Sequence, residues 1–448
     1  MRASTLLRSG TLLLALLLLH GIVFAEDAAT RTLITNVLVW DGTSDKLSSK
    51  TNVLIEDNLI TRISEGTARA IGDTTVIDGG GRVLMPGLMD MHQHLSMVAG
   101  LTEMRNKYDW MYVGSRAGAE AHRMLLRGFT TVRDLGGPTT GLAAAIDEGH
   151  IPGPRIYSSG AFITQTSGHA DFRNPNDPHP NITGEPHMMD RLGWVHMADG
   201  VAEVTRAARE VLSTGATQLK LMAGGGVASN FDPIETLQFT PEELRAAVTA
   251  AANYGTYVAV HAYTAAAIRQ ALEAGVMSID HGMLLDDATM ALLKEKGAFL
   301  SPQIYIFSGN LDYDWFTDEN RRKLKQVSDG LDTEMKLAKK HGVKVVFGTD
   351  MFNDEFFPLQ NQDLGLRLKW FTSVEVLKQA TSTAAELLAL TTYRNPYKEG
   401  PLGVIRKGAY ADLLIVDGNP LEDVRVLEDY EANLRLIMKD GVIYKNTL

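Results

Sequence analysis

The chain has 448 residues, 45% hydrophobic and 22% charged, which is long and apolar enough for more than one globular unit. Its 43 Lys and Arg against 54 Asp and Glu give a formal charge of -11, which argues against nucleic acid or an anionic membrane as the main partner. There is no cysteine, so disulfides and thiolate metal ligands are excluded, and a metal would have to be held by His, Asp, Glu or a modified Lys.

The first element is a targeting segment. Arg2 and Arg8 precede a leucine-rich run from Thr11 to Leu19, and the small residues Val23 and Ala25 stand before Glu26. This is the pattern of an export signal over residues 1–25, so the mature protein is expected in the periplasm or outside the cell. The apolar core is short against the about 20 residues of a membrane span. No later segment reads as transmembrane, and the mature form is expected to be free of the membrane.

Residues 26–83 read as small antiparallel strands: Leu33 to Trp40, a turn at Asp41-Gly42, Val53 to Ile55, a turn at Asp57-Asn58, and Leu59 to Ile63. The C-terminal residues 397–448 read the same way, with strands at Ala411 to Val416, Leu434 to Met438 and Val442 to Tyr444. Neither end is large enough for a core of its own. Pairing the two into one β-sandwich is the economical expectation.

The long insertion at 84–396 alternates strands and helices. Candidate strands are Leu88 to His92, Thr130 to Asp134, Arg155 to Ser158, Gln218 to Met222, Tyr257 to His261, Ser278 to His281, Ala298 to Ser301 and Val343 to Gly348. Helices are expected at Pro241 to Tyr254, with Thr240 as N-cap and Glu243 completing a capping box, and at Ala265 to Ala274. The spacing predicts an α/β fold, a (β/α)8 TIM barrel, with long loops at 159–200 and 302–330 to shape a pocket.

Six chemistry-bearing residues fall at or near the C-terminal ends of those strands: His92, His94, Lys220, His261, His281 and Asp350. A barrel of this kind builds its site there. Side chains alternate along a strand, so His92 and His94 share a face and could grip one divalent ion. Lys220 sits between Leu219 and Leu221, where an unpaired ammonium is costly. It is either a buried Lys paired with an acid or a carboxylated Lys whose carbamate bridges two ions. In the second case His92, His94 and Asp350 would hold one ion, His261 and His281 the other, with an acidified water between them. Asp350 is then the natural general base and acid.

The chain resembles the amidohydrolase superfamily over essentially its whole mature length. The resemblance is carried by His92-Gln93-His94 after Pro86-Gly87, by Lys220, His261 and His281, by Gly348-Thr349-Asp350, and by the run Gly408 to Leu413 with Asp417 to Pro420. It implies two divalent metal ions, usually Zn2+, bridged by N6-carboxylated Lys220 and hydroxide. Gly224-Gly225-Gly226-Val227, His261-Ala262-Tyr263 and Asp280-His281-Gly282 are similar to the branch of imidazolonepropionase-like hydrolases, Xaa-Pro dipeptidases and carboxypeptidase-like enzymes. Bacterial amidohydrolases that split ochratoxin A are a further resemblance. Imidazolonepropionase itself fits less well, because its mononuclear centre leaves Lys220 without a purpose. Family resemblance also suggests a large homo-oligomer such as an octamer.

Candidate substrate contacts are His169, also a candidate oxyanion donor, Tyr263, Val227 and Tyr305, while Asp90 is expected to support His92. The glycine triplet lacks the Lys-Ser/Thr of a phosphate loop, so close backbone approach to a substrate is its expected role. His122, His150, His179, His187, His196 and His341 lie outside the pattern and read as surface or structural. The leading expectation is a hydrolase of the amide bond to a C-terminal amino acid, in dipeptides or N-acyl amino acids, including ochratoxin A. A cyclic amidase or lactonase, and a periplasmic binding protein that lost its chemistry, are the alternatives.

Overall fold

The computed structural model describes residues 30–70, 72–174, 176–229, 232–309 and 316–448. The expected signal segment lies outside the described residues. Among these, no helix is long and apolar enough to cross a membrane.

The chain opens with β1 (Arg31–Val39), β2 (Lys50–Glu56) and β3 (Leu59–Glu65), an antiparallel meander, followed by β4 (Thr75–Asp78) and β5 (Val83–Pro86), both parallel to β1. Ile34, Val37, Val53 and Ile60 are buried; Ile34 and Val37 are three residues apart, and a register shift between them brings both to the core.

Two parallel sheets follow. The first holds β6 (Leu88–Gln93), β7 (Phe129–Asp134) and β8 (Arg155–Ser158). The second is built from β9 (Phe162–Thr164), β10 (Val195–Met197), β11 (Leu219–Met222), β12 (Val258–Thr264), β13 (Ser278–Leu284), β14 (Phe299–Ser301) and β15 (Lys344–Val345). Its order is β10-β9-β11-β12-β13-β14-β15. Backbone bonds also link the two sheets: Thr217 N–H to Ser158 O at 2.8 Å, Met91 N–H to Phe347 O at 2.8 Å, and Asp350 N–H to His92 O at 2.8 Å. The architecture is α/β and TIM-barrel-like.

The helices form for the reasons the sequence suggests. Helix Pro241–Asn253 starts with a full capping box between Thr240 and Glu243, worth roughly 1 kcal/mol. It buries Leu244, Ala247, Ala250 and Ala251, one face at three- and four-residue spacing. Helix Ala265–Ala274 is capped by Thr264 and stops at Gly275, which takes the left-handed φ of 102° that ends the helix. The expected loop at 302–330 is a loop only in part. Its second half is the start of a 24-residue helix, Asp318–His341, capped by Thr317.

The return of the chain adds β16 (Leu413–Val416), β17 (Leu434–Lys439) and β18 (Val442–Asn446). β16 pairs antiparallel with β5, so the two chain ends do meet in one sheet. That sheet is continuous, in the order β18-β17-β16-β5-β1-β2-β3 with β4 on β1. It has its own core, with Ile34, Val53, Leu84, Leu413, Ile415 and Leu436. Arg155, at the start of β8, ties it to the parallel sheets: it donates to Asp412 at 2.9 Å and Asp440 at 2.6 Å, and lies 4.0 Å from the Tyr410 ring centroid.

Candidate metal centre

His92 occupies β6 and His94 the residue after it, with Lys220 in β11, His261 in β12, His281 in β13 and Asp350 beyond β15. Strand register sets their heights. Met222, not Lys220, pairs with His261, so Lys220 lies deeper by two residues, while Ala262 pairs with His281. All six line one cavity of about 400 Å³.

His92 Nε2 is 3.3 Å from His94 Nε2, and Asp350 Oδ1 is 3.4 Å from the first and 3.1 Å from the second. His92, His281 and Asp350 each offer a ligand atom within 4.8 Å of the others. The His261 and His281 rings are 4.4 Å apart. Two of these candidate ligands are held in the left-handed backbone region, His281 at φ 77° and Asp350 at φ 57°. For residues with a Cβ that conformation costs on the order of 1–3 kcal/mol, and it persists where surrounding contacts dictate it.

Burial dominates the electrostatics. It pulls His92 down to about 4 and holds His261 and His281 well below their ordinary value, so these imidazoles are neutral lone-pair donors. Burial also acts downward on His94, but the hydrogen bond and charge of Asp350 outweigh it and hold His94 above its usual value. Asp350 is held below the carboxylate range, because His92 and His94 outweigh the upward effect of burial. Burial lowers the Lys220 ammonium, opposed by Asp280 and aided by the nearby Arg133 guanidinium.

Two buried atoms here lack a hydrogen-bond partner: Lys220 Nζ, whose nearest carboxylate oxygen is Asp280 Oδ2 at 3.7 Å, and His281 Nδ1. A 1%-exposed amine without a bond is expensive, and a ligand reached through that nitrogen would relieve it. The donor set of three neutral imidazoles (His92, His261 and His281), the Asp350 carboxylate with its hydrogen-bonded His94, and an amine of lowered basicity fits divalent metal.

The amidohydrolase family model matches residues 83–444. The ochratoxinase of Aspergillus niger is 33% identical over 384 residues, covering 81% of this chain and 76% of that protein. The chain belongs to the amidohydrolase family. Among solved structures, an amidohydrolase is 36% identical with a TM-score of 0.85, covering 94% of this chain and all of that one. A prolidase complexed with N-methylphosphonate-L-proline is 33% identical with a TM-score of 0.86, covering 93% and 100%. The amidohydrolase family generally binds divalent metals, and this member is a hydrolase acting on amide or peptide bonds.

Around this amidohydrolase centre the other expected residues divide. Tyr263 lies between two ligands, 4.9 Å from the His261 ring and 5.0 Å from His281, and Val227 and His169 also line the cavity. Tyr305 is not among the lining residues; its successors Ile306 and Phe307 are. Asp90 is buried and accepts from His92 N–H at 3.0 Å, Thr349 N–H at 3.1 Å and Gln360 Nε2 at 2.9 Å. It thus pins the backbone that carries His92 to the turn that carries Asp350. His179 and His187 cap short helices, and His150 and His341 pair with Glu148 and Asp287.

Asp280 was visible in the motif beside His281 but had no role on sequence grounds. Its Oδ1 meets His92 Nδ1 at 3.0 Å and takes a bond from the fully buried Arg133 at 2.9 Å. It orients the His92 ring and fixes which of its nitrogens faces the cavity. An Asp next to a candidate ligand was the available signal; Arg133, on a different strand, offered none.

Proposed function

We propose that this amidohydrolase cleaves the amide bond to a C-terminal amino acid, in dipeptides or N-acyl amino acids, with bulky aroyl amides such as ochratoxin A among them. The observation that carries the reading is the buried Lys220 Nζ, which makes no hydrogen bond and has its acid, Asp280, at 3.7 Å, at the floor of a cavity walled by His92, His94, His261, His281 and Asp350. We assign the metal ligands to these six residues, with Lys220 carboxylated and two zinc ions between them. When bound, the metal supplies a Lewis acid for the scissile carbonyl and a nucleophilic water at neutral pH.

The chain's own residues account for the rest. Asp350, ionised and 18% exposed, faces the cavity and is the group placed to take a proton from the attacking water and return it to the departing nitrogen. His169 and Tyr263 are placed to meet the substrate oxygens. Phe162, Phe172, Phe307, Phe316, Met97 and Met222 line the same cavity and suit an aromatic acyl or amino-acid side chain. Arg105 and Arg173 also line it; Arg173 is paired with Asp171 through two hydrogen bonds, so Arg105 is the better placed cation for a substrate carboxylate in a protein of formal charge -11. The ochratoxinase and prolidase relatives support this choice of bond. Export by the N-terminal segment and assembly as a homo-oligomer belong to the same reading.

The test is to load the purified protein with zinc and incubate it with a panel of dipeptides, N-acyl amino acids and ochratoxin A. Released amines are identified by mass spectrometry. Free C-terminal amino acid is the expected product. Turnover confined to lactones or cyclic amides, with no amine released from the panel, would contradict the proposal.

A further inference from the structure

His169 lies in the loop after β9, and its ring stacks on His261 with 4.2 Å between centroids and 19° between planes. Its Nδ1 is 2.7 Å from Ser229 Oγ and 3.3 Å from Asp232 Oδ2. Ser229 Oγ donates its one hydrogen to Asp232 Oδ1. A hydroxyl that has given its hydrogen away can only accept, so Nδ1 of His169 must be the protonated nitrogen. Nε2 is then left for the cavity that His169 lines.

Asp232 is 1% exposed and also accepts from Gly226 N–H at 2.7 Å. Burial would raise its carboxyl, but the bonds from His169, Ser229 and Gly226 hold it below its ordinary value. The loop is fastened from behind. Lys323, buried in helix Asp318–His341, donates to the carbonyls of Gly226, Ser229 and Asp232 at 3.2, 2.9 and 2.9 Å. Asn320, one turn earlier, donates to Val227 O at 2.7 Å. Gly226 leaves room for the ring: a Cβ there would stand 1.9 Å from His169 Nδ1.

We propose that Asp232 is the positioning residue for His169, setting the ring against His261 and fixing the tautomer that presents Nε2 to the substrate. The inference rests on the assignment of His169 to substrate contact made above. Asp232 acts as the orienting carboxylate of a two-residue pair, and Lys323 holds the loop that carries it.

The test uses the zinc-loaded full-length protein with hippuryl-L-phenylalanine and ochratoxin A as substrates. Asp232→Ala should lower kcat/KM by about 10–100-fold, the usual cost of removing such an orienting partner, with zinc content unchanged. In a His169→Ala background the same substitution should cost nothing more. Asp232→Asn keeps the oxygen that faces both Gly226 N–H and Nδ1 but turns its NH2 to Ser229 Oγ, which frees the hydroxyl hydrogen to donate to Nδ1 and reverses the tautomer, so it should fail to restore activity while melting like the wild type. Recovery by Asn, or an undiminished loss in the His169→Ala background, would mean that Asp232 only braces the loop, and the proposal falls. Wild-type kinetics in His169→Ala also overturn it, although amide hydrolysis itself would stand. If the wild type releases no amine from either compound, the proposed function fails, and the crystal structure of zinc-loaded Asp232→Ala decides this inference alone. The His169 ring should leave its stack on His261; a ring unmoved, still bonded to Ser229, overturns the pairing.

Discussion

Asp350 combines two constraints that pull on one side chain. It stands within 3.4 Å of two imidazole nitrogens, and its backbone sits in the left-handed region. A group used only for charge balance would not need that strain. Asp350→Asn should fold and retain at least one metal, yet lose on the order of 10²–10⁴-fold in kcat, the range of general acid–base catalysis. The loss should be greater on amides than on activated esters, whose leaving groups depart unprotonated; equal losses would reduce Asp350 to a ligand. Lys220 gives a second single-residue test. Lys220→Ala should lose most bound metal and activity, with partial recovery in short carboxylic acids that replace a carbamate. Intact mass of the metal-loaded wild type should show the added CO2, and an active, loaded protein with unmodified Lys220 would contradict the bridge.

At the scale of elements, the strands that carry candidate ligands were legible because each is a short stretch in which apolar residues flank the polar ones, as in Leu88–Gln93 and Leu219–Met222. Leu88–Gln93 and Leu219–Met222 lie within a residue or two of their sequence reading, and Arg155–Ser158 coincides with it. What escaped was short or tertiary. β9 and β10 have three residues each, too few for periodicity to register. Asp232 acts on His169 across 63 residues, and Lys323 acts on Gly226, Ser229 and Asp232 across 97, 94 and 91, and no local pattern announces such contacts. Helix Asp318–His341 is mostly polar and carries Gly330 inside, where a Cβ would lie 2.1 Å from Met283 O, so a close helix–strand approach outweighs helix propensity. The same helix buries Glu334, neither of whose oxygens has a hydrogen-bond partner. Burial raises its carboxyl well above the ordinary 4.5. The folded state therefore keeps a proton that the unfolded state releases above about that pH, and this residue's contribution falls as pH rises from there to the folded value. Glu334→Gln removes that dependence. Its stability relative to wild type should be flat below pH 4.5 and should then improve by up to about 1.4 kcal/mol per pH unit. A pH-independent difference in denaturant unfolding would place the carboxyl's charge elsewhere.

On the scale of the whole molecule, two parallel sheets and the residues that follow their strands carry the candidate ligands, and the terminal sheet braces the first of them through Arg155 at the start of β8. Family membership was readable because its markers are spread along that frame, from His92 to Asp412. Substrate choice was not readable, because the cavity wall is assembled from loops and helices that meet only in the fold: Met97, Phe172, Phe307 and Phe352 come from separate segments. The central claim is a metal-dependent amide hydrolase that uses two ions per chain. Zinc should be removed by chelation and returned stepwise while amine release from an N-acyl amino acid is followed. Activity should be absent in the stripped protein and should rise until about two equivalents per chain are bound. Full activity at one equivalent or fewer, or in the stripped protein, would contradict it.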